Sequence, residues 1–344
     1  MHSSDFEFDG QFSDQLIGQL AVLIRERIGE FEIKSFSLGC SYPYTVTDDE
    51  KQLLKKEFQF ALVKTLEKSL GITAEFDRPD CVITLDFNSR LIAFWVASAY
   101  FSGRYNKFSR EIAQTVFYCP KCKGKGCLHC KGTGKLGLET VEELIGNAAK
   151  PMFDASGFAF HGAGREDVNV RMLGSGRPFV MEIKEPKIRT VDLKKISQTV
   201  NDFAAEKIKI FDLAWSDSKS VGTLKEERRQ KKYLAVISCA NEINPEKLEK
   251  LSGKTFEVEQ QTPLRVARRR ADIIRKRTVK VESIKSVSKT EFEIVLLTDA
   301  GLYVKEFVSG EQGRSIPSLS SLLENSCGCK QLDVLEILEP KPKD

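Results

Sequence analysis

Gly164-Arg165-Glu166-Asp167-Val168-Asn169-Val170-Arg171-Met172-Leu173-Gly174-Ser175-Gly176-Arg177-Pro178-Phe179 holds the densest chemistry in the chain. Two acids and three arginines fall between positions 164 and 177. Val168, Val170 and Met172 alternate with Asn169 and Arg171. That period belongs to a half-buried strand, so a loop bearing Arg165, Glu166 and Asp167 is expected to lead into one. Gly162 and Gly164 allow the backbone to bend tightly ahead of it. Gly174 and Gly176 predict a turn, after which Pro178 opens a second apolar run. Read locally, the stretch fits a charged surface hairpin as well as an active-site loop.

On its N-terminal side lies Cys119-Pro120-Lys121-Cys122-Lys123-Gly124-Lys125-Gly126-Cys127-Leu128-His129-Cys130. Two Cys-x-x-Cys knuckles four residues apart let four thiolates converge on one ion, and the glycines let the chain double back. Four soft ligands with no vacancy describe a structural zinc site. An iron–sulfur cluster is the main rival, but the spacing does not fit the common ferredoxin runs. His129 is expected to face solvent. The neighbouring lysines offset the thiolate charge and could also face a polyanion. The other cysteines (40, 81, 239, 327 and 329) are expected to be free thiols.

Further out, the chain reads as two domains of α+β character. Its 344 residues are long for one compact unit, and 41% hydrophobic content supports a sizeable core. Helices are predicted over 13–29 and 48–70, the second stopped by Gly71. Cys81–Phe87 and Leu91–Val96 predict a hairpin. Thr140-Val141-Glu142-Glu143 has the capping-box pattern, and the boundary is placed just after it. That gives 1–145, with the cysteine insert at 119–134, and 146–344. In the second part a helix is predicted over 192–205, strands over 179–183, 233–238, 280–284 and 291–297, and a last strand over 332–337. Residues 211–223 read as an irregular, mobile, substrate-gripping loop.

Net charge is only +4, yet Arg265 to Lys280 holds eight basic residues against Asp272 alone. Residues 225–232 form a second basic cluster. Such local excess suits phosphate contacts, although a solvated charged face looks the same. No apolar run reaches eighteen residues, so no membrane span is expected. The polar, acidic start is unlike a secretory signal, and paired cysteines of this spacing favour a reducing cytoplasm. There is no P-loop, no Gly-x-Gly-x-x-Gly and no His-x-Glu deaminase signature.

Gly164-Arg165-Glu166-Asp167-Val168-Asn169-Val170-Arg171 resembles the aspartate motif of RNA pseudouridine synthases. The longer run through Phe179 is similar to the family of tRNA pseudouridine synthases numbered ten, found in archaea and eukaryotes. The likeness recurs at Gly103–Arg110, Val141–Ile145 and Tyr303–Gly310, and the cysteine insert resembles the archaeal branch. Two departures stand out: Arg268 where that family usually has histidine, and Leu302 where pseudouridine synthases often have threonine.

The resemblance implies a THUMP-like, zinc-containing RNA-binding domain followed by a catalytic domain on a mixed, largely antiparallel sheet. It implies isomerisation of uridines 54 and 55 in the T-loop of tRNA. It gives Asp167 as the catalytic carboxylate, Lys305 as its cationic partner and Tyr233 as the ring stacking on the uracil. Val304 and Leu332 would form an apolar floor, and Arg165 would place the loop. Structural zinc on Cys119, Cys122, Cys127 and Cys130 is expected, with no organic cofactor, and a monomer. The competing reading is a non-catalytic RNA-binding zinc protein on the same fold.

Overall fold

A computed structural model describes residues 2–137, 139–267 and 271–339. The first 96 residues build a small sheet covered by helices. Their elements are β1 (His2–Asp5), α1 (Asp14–Ile28), β2 (Ser35–Ser41), α2 (Asp48–Leu54), α3 (Phe60–Leu70), β3 (Thr73–Ala74), β4 (Cys81–Asp86) and β5 (Leu91–Val96). The sheet order is β1-β5-β4-β2-β3. Ser13 caps α1 through the Leu16 N–H, and Leu20, Ile24 and Ile28 point inward at helical spacing. The helix predicted over 48–70 forms as α2 and α3 joined by one π turn at Lys55–Gln59. Gly71 ends it in the left-handed conformation, at φ +69°. Leu62 and Leu66 of α3 meet α1 over Phe36, Ile83 and Phe94 in one core.

The remaining chain builds the larger body. Its elements are β6 (Ala99–Lys107), α4 (Val141–Ala149), β7 (Ala155–Gly162), β8 (Val170–Pro186), α5 (Leu193–Phe203), β9 (Ile208–Ser216) and α6 (Ser218–Glu226). Then come β10 (Lys231–Cys239), α7 (Pro245–Glu249), β11 (Thr255–Gln261), β12 (Ile274–Ser286), β13 (Glu291–Thr298), α8 (Val304–Ser309), β14 (Ser315–Ile316), α9 (Leu319–Leu323) and β15 (Cys327–Ile337). The sheet order is β14-β11-β12-β13-β10-β15-β8-β6-β9, with β7 also on β8. Only β15 with β8 runs parallel among these described pairs, so the sheet is mixed and largely antiparallel. The protein is therefore α+β, as expected.

Three expectations need correction. The border near 145 is misplaced. Ala99, Phe101, Tyr105, Val141, Leu144 and Ile145 belong to the core of the larger body, whereas the first core ends at Val96. The border lies near 97, and the cysteine insert is a loop of the second body, between β6 and α4. Residues 211–223 are not irregular: they finish β9 and form most of α6, whose N-cap is Asp217. Gly174 and Gly176 are not a turn either. They sit inside β8 at φ +54° and +69°, where the strand is kinked and continues. The last strand forms as expected, and β15 lies inside the sheet between β10 and β8.

Candidate active site

The loop 163–169 leaves β7 and returns as β8, so the sheet itself fixes both of its ends. Gly164 takes φ +77°, which only glycine adopts without strain. Beyond it the two acids point opposite ways. Glu166 turns inward, where its Oε2 lies 2.8 Å from Nε of Arg177, both side chains being 1% exposed. Tyr105 donates its hydroxyl proton to the same carboxylate at 2.8 Å. Gln114 Nε2 donates to the Tyr105 oxygen at 2.9 Å and to the Gly164 carbonyl at 2.8 Å. Arg177 also donates to the Ala163 carbonyl at 2.7 Å.

Lys107 completes the underside. Its ammonium donates to the carbonyls of Val168 at 2.7 Å, Ile112 at 3.1 Å and Ser109 at 3.2 Å. Burial pulls it down to about 8. A buried cation satisfied by carbonyl oxygens acts here as a knot in the loop. The Val170 N–H closes the turn on the Asp167 carbonyl at 3.1 Å.

Asp167 turns outward. Its Oδ2 accepts from Nζ of Lys305 at 2.9 Å, and Lys305 also donates to Asn169 Oδ1 at 3.1 Å. Arg265 approaches Oδ1 at 3.4 Å, while its Nε holds the buried Glu306 at 2.6 Å. Burial pushes the Asp167 carboxyl up, but the Lys305 bond and the charges of Lys305, Arg265 and Arg165 outweigh it. The net shift is downward, so the carboxylate is ionised at neutral pH. Its side chain remains 42% exposed. A permanent anion at an accessible site, with its cation supplied by another element, is suited to attack or to proton abstraction.

Tyr233 lies on β10 opposite Val334 of β15 and packs against the main core. Burial pushes its hydroxyl up to about 12, and the charges of Glu166 and Asp167 add to that shift. The ring is therefore neutral and within electrostatic range of both acids. Val304, at the first turn of α8, and Leu332, opposite Val170 on β8, are buried in the same core. Arg165 is exposed, and its guanidinium lies 5.3 Å from the centre of the Phe117 ring. That contact ties the loop 163–169 to the root of the cysteine insert.

The basic segments are more committed than their composition indicates. Arg275 donates to Thr262 Oγ1, Arg277 to the Ala300 carbonyl, and Lys276 pairs with Glu259. Arg268 lies outside the described residues. Nothing in the sequence pointed to Tyr105, Lys107 or Gln114 as supports of the loop. A second unforeseen cluster joins strands β8 and β15: buried Asp333 holds Arg110 and Arg171, each at 2.6 Å.

The sulfur atoms of Cys119, Cys122, Cys127 and Cys130 all lie within 4.8 Å of one another. Three of their separations are 3.9, 3.7 and 3.8 Å. A tetrahedron with zinc–sulfur bonds near 2.3 Å has edges of about 3.8 Å, so the four fit such an ion. Burial pushes the Cys130 thiol up, but N–H groups of Cys127 and Gly134, each 3.2 Å from its sulfur, bring it down to about 6. The backbone is thus arranged for thiolate. His129 is exposed, as expected.

The tRNA pseudouridine synthase Pus10 of Methanopyrus kandleri is 38% identical, over 94% of this chain and 78% of its own. That of Methanocaldococcus jannaschii is 39% identical, over 95% and 74%. A chain in the crystal structure of a Cbf5-Nop10-Gar1 complex matches at 13% identity and a TM-score of 0.31, over 68% of this chain and 58% of that one. The family described as "Pus10, C-terminal" matches residues 100–338, which is the larger body almost from end to end. On that match and on those relatives, the chain belongs to the Pus10 family.

Proposed function

We propose that this protein is a tRNA pseudouridine synthase that converts uridines 54 and 55 of the T-loop to pseudouridine. The observation that carries this is the Asp167–Lys305 pair, 2.9 Å apart on two elements that meet at the exposed end of a rigidly supported loop. The reaction breaks the N1–C1′ bond of uridine, rotates the base, joins C5 to C1′ and releases the C5 proton. It is redox-neutral and needs no organic cofactor.

Asp167 engages the nucleoside, and Lys305 keeps it ionised while holding its direction. Tyr233 stacks on the uracil, with Val304 and Leu332 as the apolar floor. Arg165 anchors the loop on Phe117. A uracil inside folded RNA must first leave its stack, at a cost of a few kcal/mol, about what several phosphate contacts return. The part of the chain ahead of the family match, residues 1–96, is proposed as a THUMP-like RNA-binding module.

The four cysteines would hold one structural zinc ion, which supplies folding energy to the insert and no step of the reaction. Among the described residues no helix is long and apolar enough to cross a membrane; a monomer working in the cytoplasm fits the reading. The test is a modification map of unmodified tRNA transcripts after incubation with purified protein. Pseudouridine at 54 and 55 is expected. Tight tRNA binding with no pseudouridine anywhere would establish the non-catalytic RNA-binding reading instead.

A further inference from the structure

Lys231 is the cation of the site that the reading above leaves unused. It projects from the same face of β10 as Tyr233, two residues along, because strand side chains alternate. Its Nζ and NH1 of Arg177 flank Gly164, 3.5 and 3.4 Å from the point where a side chain would start. The other cations there are engaged. Arg177 has Glu166, Lys305 has Asp167, Arg265 has Glu306, and Lys107 has its carbonyls. Among the described residues Lys231 Nζ has no hydrogen-bond or ion-pair partner. Burial, and then the Arg177 charge, pull it down to about 8 against the attraction of the Glu166 carboxylate, which is already bonded to Arg177 and Tyr105, so it is still protonated at neutral pH. A half-buried, charged and unpartnered ammonium is costly, and such a cost is retained where a ligand repays it.

The reaction supplies that ligand. When Asp167 acts on the sugar, by attack at C1′ or by taking a sugar proton, the electron pair of the N1–C1′ bond stays with the base as the bond breaks. The detached uracil is then an anion, its charge spread over N1, O2 and O4, until C5 bonds to C1′ and the C5 proton passes to water. We propose that Lys231 is a further catalytic residue of the isomerisation, donating to the uracilate that exists between bond cleavage and reattachment. The inference rests on the pseudouridine synthase reading.

The test compares wild type, Lys231→Gln and Lys231→Arg under saturating tRNA, with uridine or 5-fluorouridine at the target position. Fluorine makes the base a better leaving group, so it needs less help. Uridine gives pseudouridine. 5-Fluorouridine has no C5 proton to lose, so once C5 joins C1′ its base takes up water at C6. Both reactions are scored as loss of the starting nucleoside by digestion and mass-resolved chromatography, with thermal unfolding and tRNA binding as controls. With uridine, Lys231→Gln is expected to lose about 100-fold in kcat with little change in KM, as when one donor to a developing anion is removed. The loss should shrink to about tenfold or less with 5-fluorouridine, and Lys231→Arg should keep most of the activity. An equal loss on both nucleosides, a change in KM alone, or an arginine variant as slow as the glutamine one overturns the assignment. An inactive wild type instead defeats the underlying functional reading.

Discussion

Glu166 is 1% exposed and Asp167 is 42% exposed, although one peptide bond separates them. Glu166 is structural: it neutralises an arginine that has no access to water. Removing one partner of such a buried pair leaves the other uncompensated, so Glu166→Gln is expected to cost about 3–5 kcal/mol in denaturant unfolding. Asp167 is the proposed chemical group, and its partner lowers its proton affinity. Lys305→Met removes the bond that holds the carboxyl down, so its pKa rises. The acid limb of kcat/KM should then move to higher pH, whereas wild type keeps an ionised Asp167 further into acid. A limb unchanged in position would mean that another group titrates. The pairing of Asp167 with Lys305 was legible, because two short motifs resembled known ones. Arg177 was legible as an arginine but not as a buried one. Its burial depends on Tyr105 and Glu166 arriving from other segments, and no local pattern records that.

Strand β8 shows why elements were harder to read than residues. It runs from Val170 to Pro186 through two glycines that elsewhere mark turns. At Gly174 a methyl group would lie 2.0 Å from the Leu335 carbonyl oxygen of β15. The glycine is there for close approach between strands and not for reversal of the chain, and spacing alone does not distinguish the two. Gly174→Ala is expected to lower stability by more than about 1 kcal/mol and to weaken the pairing of β8 with β15. Loss of hydrogen-exchange protection at 170–174 and 332–334 would show it. Residues 211–223 misled for a related reason: an exposed edge strand and a polar helix carry little apolar periodicity, so their pattern resembles a loop. The clustering of the four cysteines was legible because they fall within one short run, but the body that carries them was not. A chelator should release one zinc per chain and raise exchange in 119–134 while leaving the central sheet protected. Release of iron with loss of visible absorbance would contradict the zinc assignment.

The whole molecule is two cores joined near residue 97, and the seam is held by charge. Arg189 pairs with Asp80 and donates to the Ala97 carbonyl, while Glu32 accepts from the Arg189 and Thr190 N–H groups. The capping box at Thr140 drew the border about fifty residues too late, since β6 follows the first sheet directly and only tertiary pairing assigns it to the second. The larger body alone carries every residue of the proposed reaction. The most direct test of that reaction is release of tritium from tRNA labelled at C5 of its uridines, wild type against Asp167→Asn, with tRNA affinity measured in parallel. The account predicts release by wild type and none above background by the variant, at unchanged affinity. Release by Asp167→Asn at the wild-type rate would contradict it.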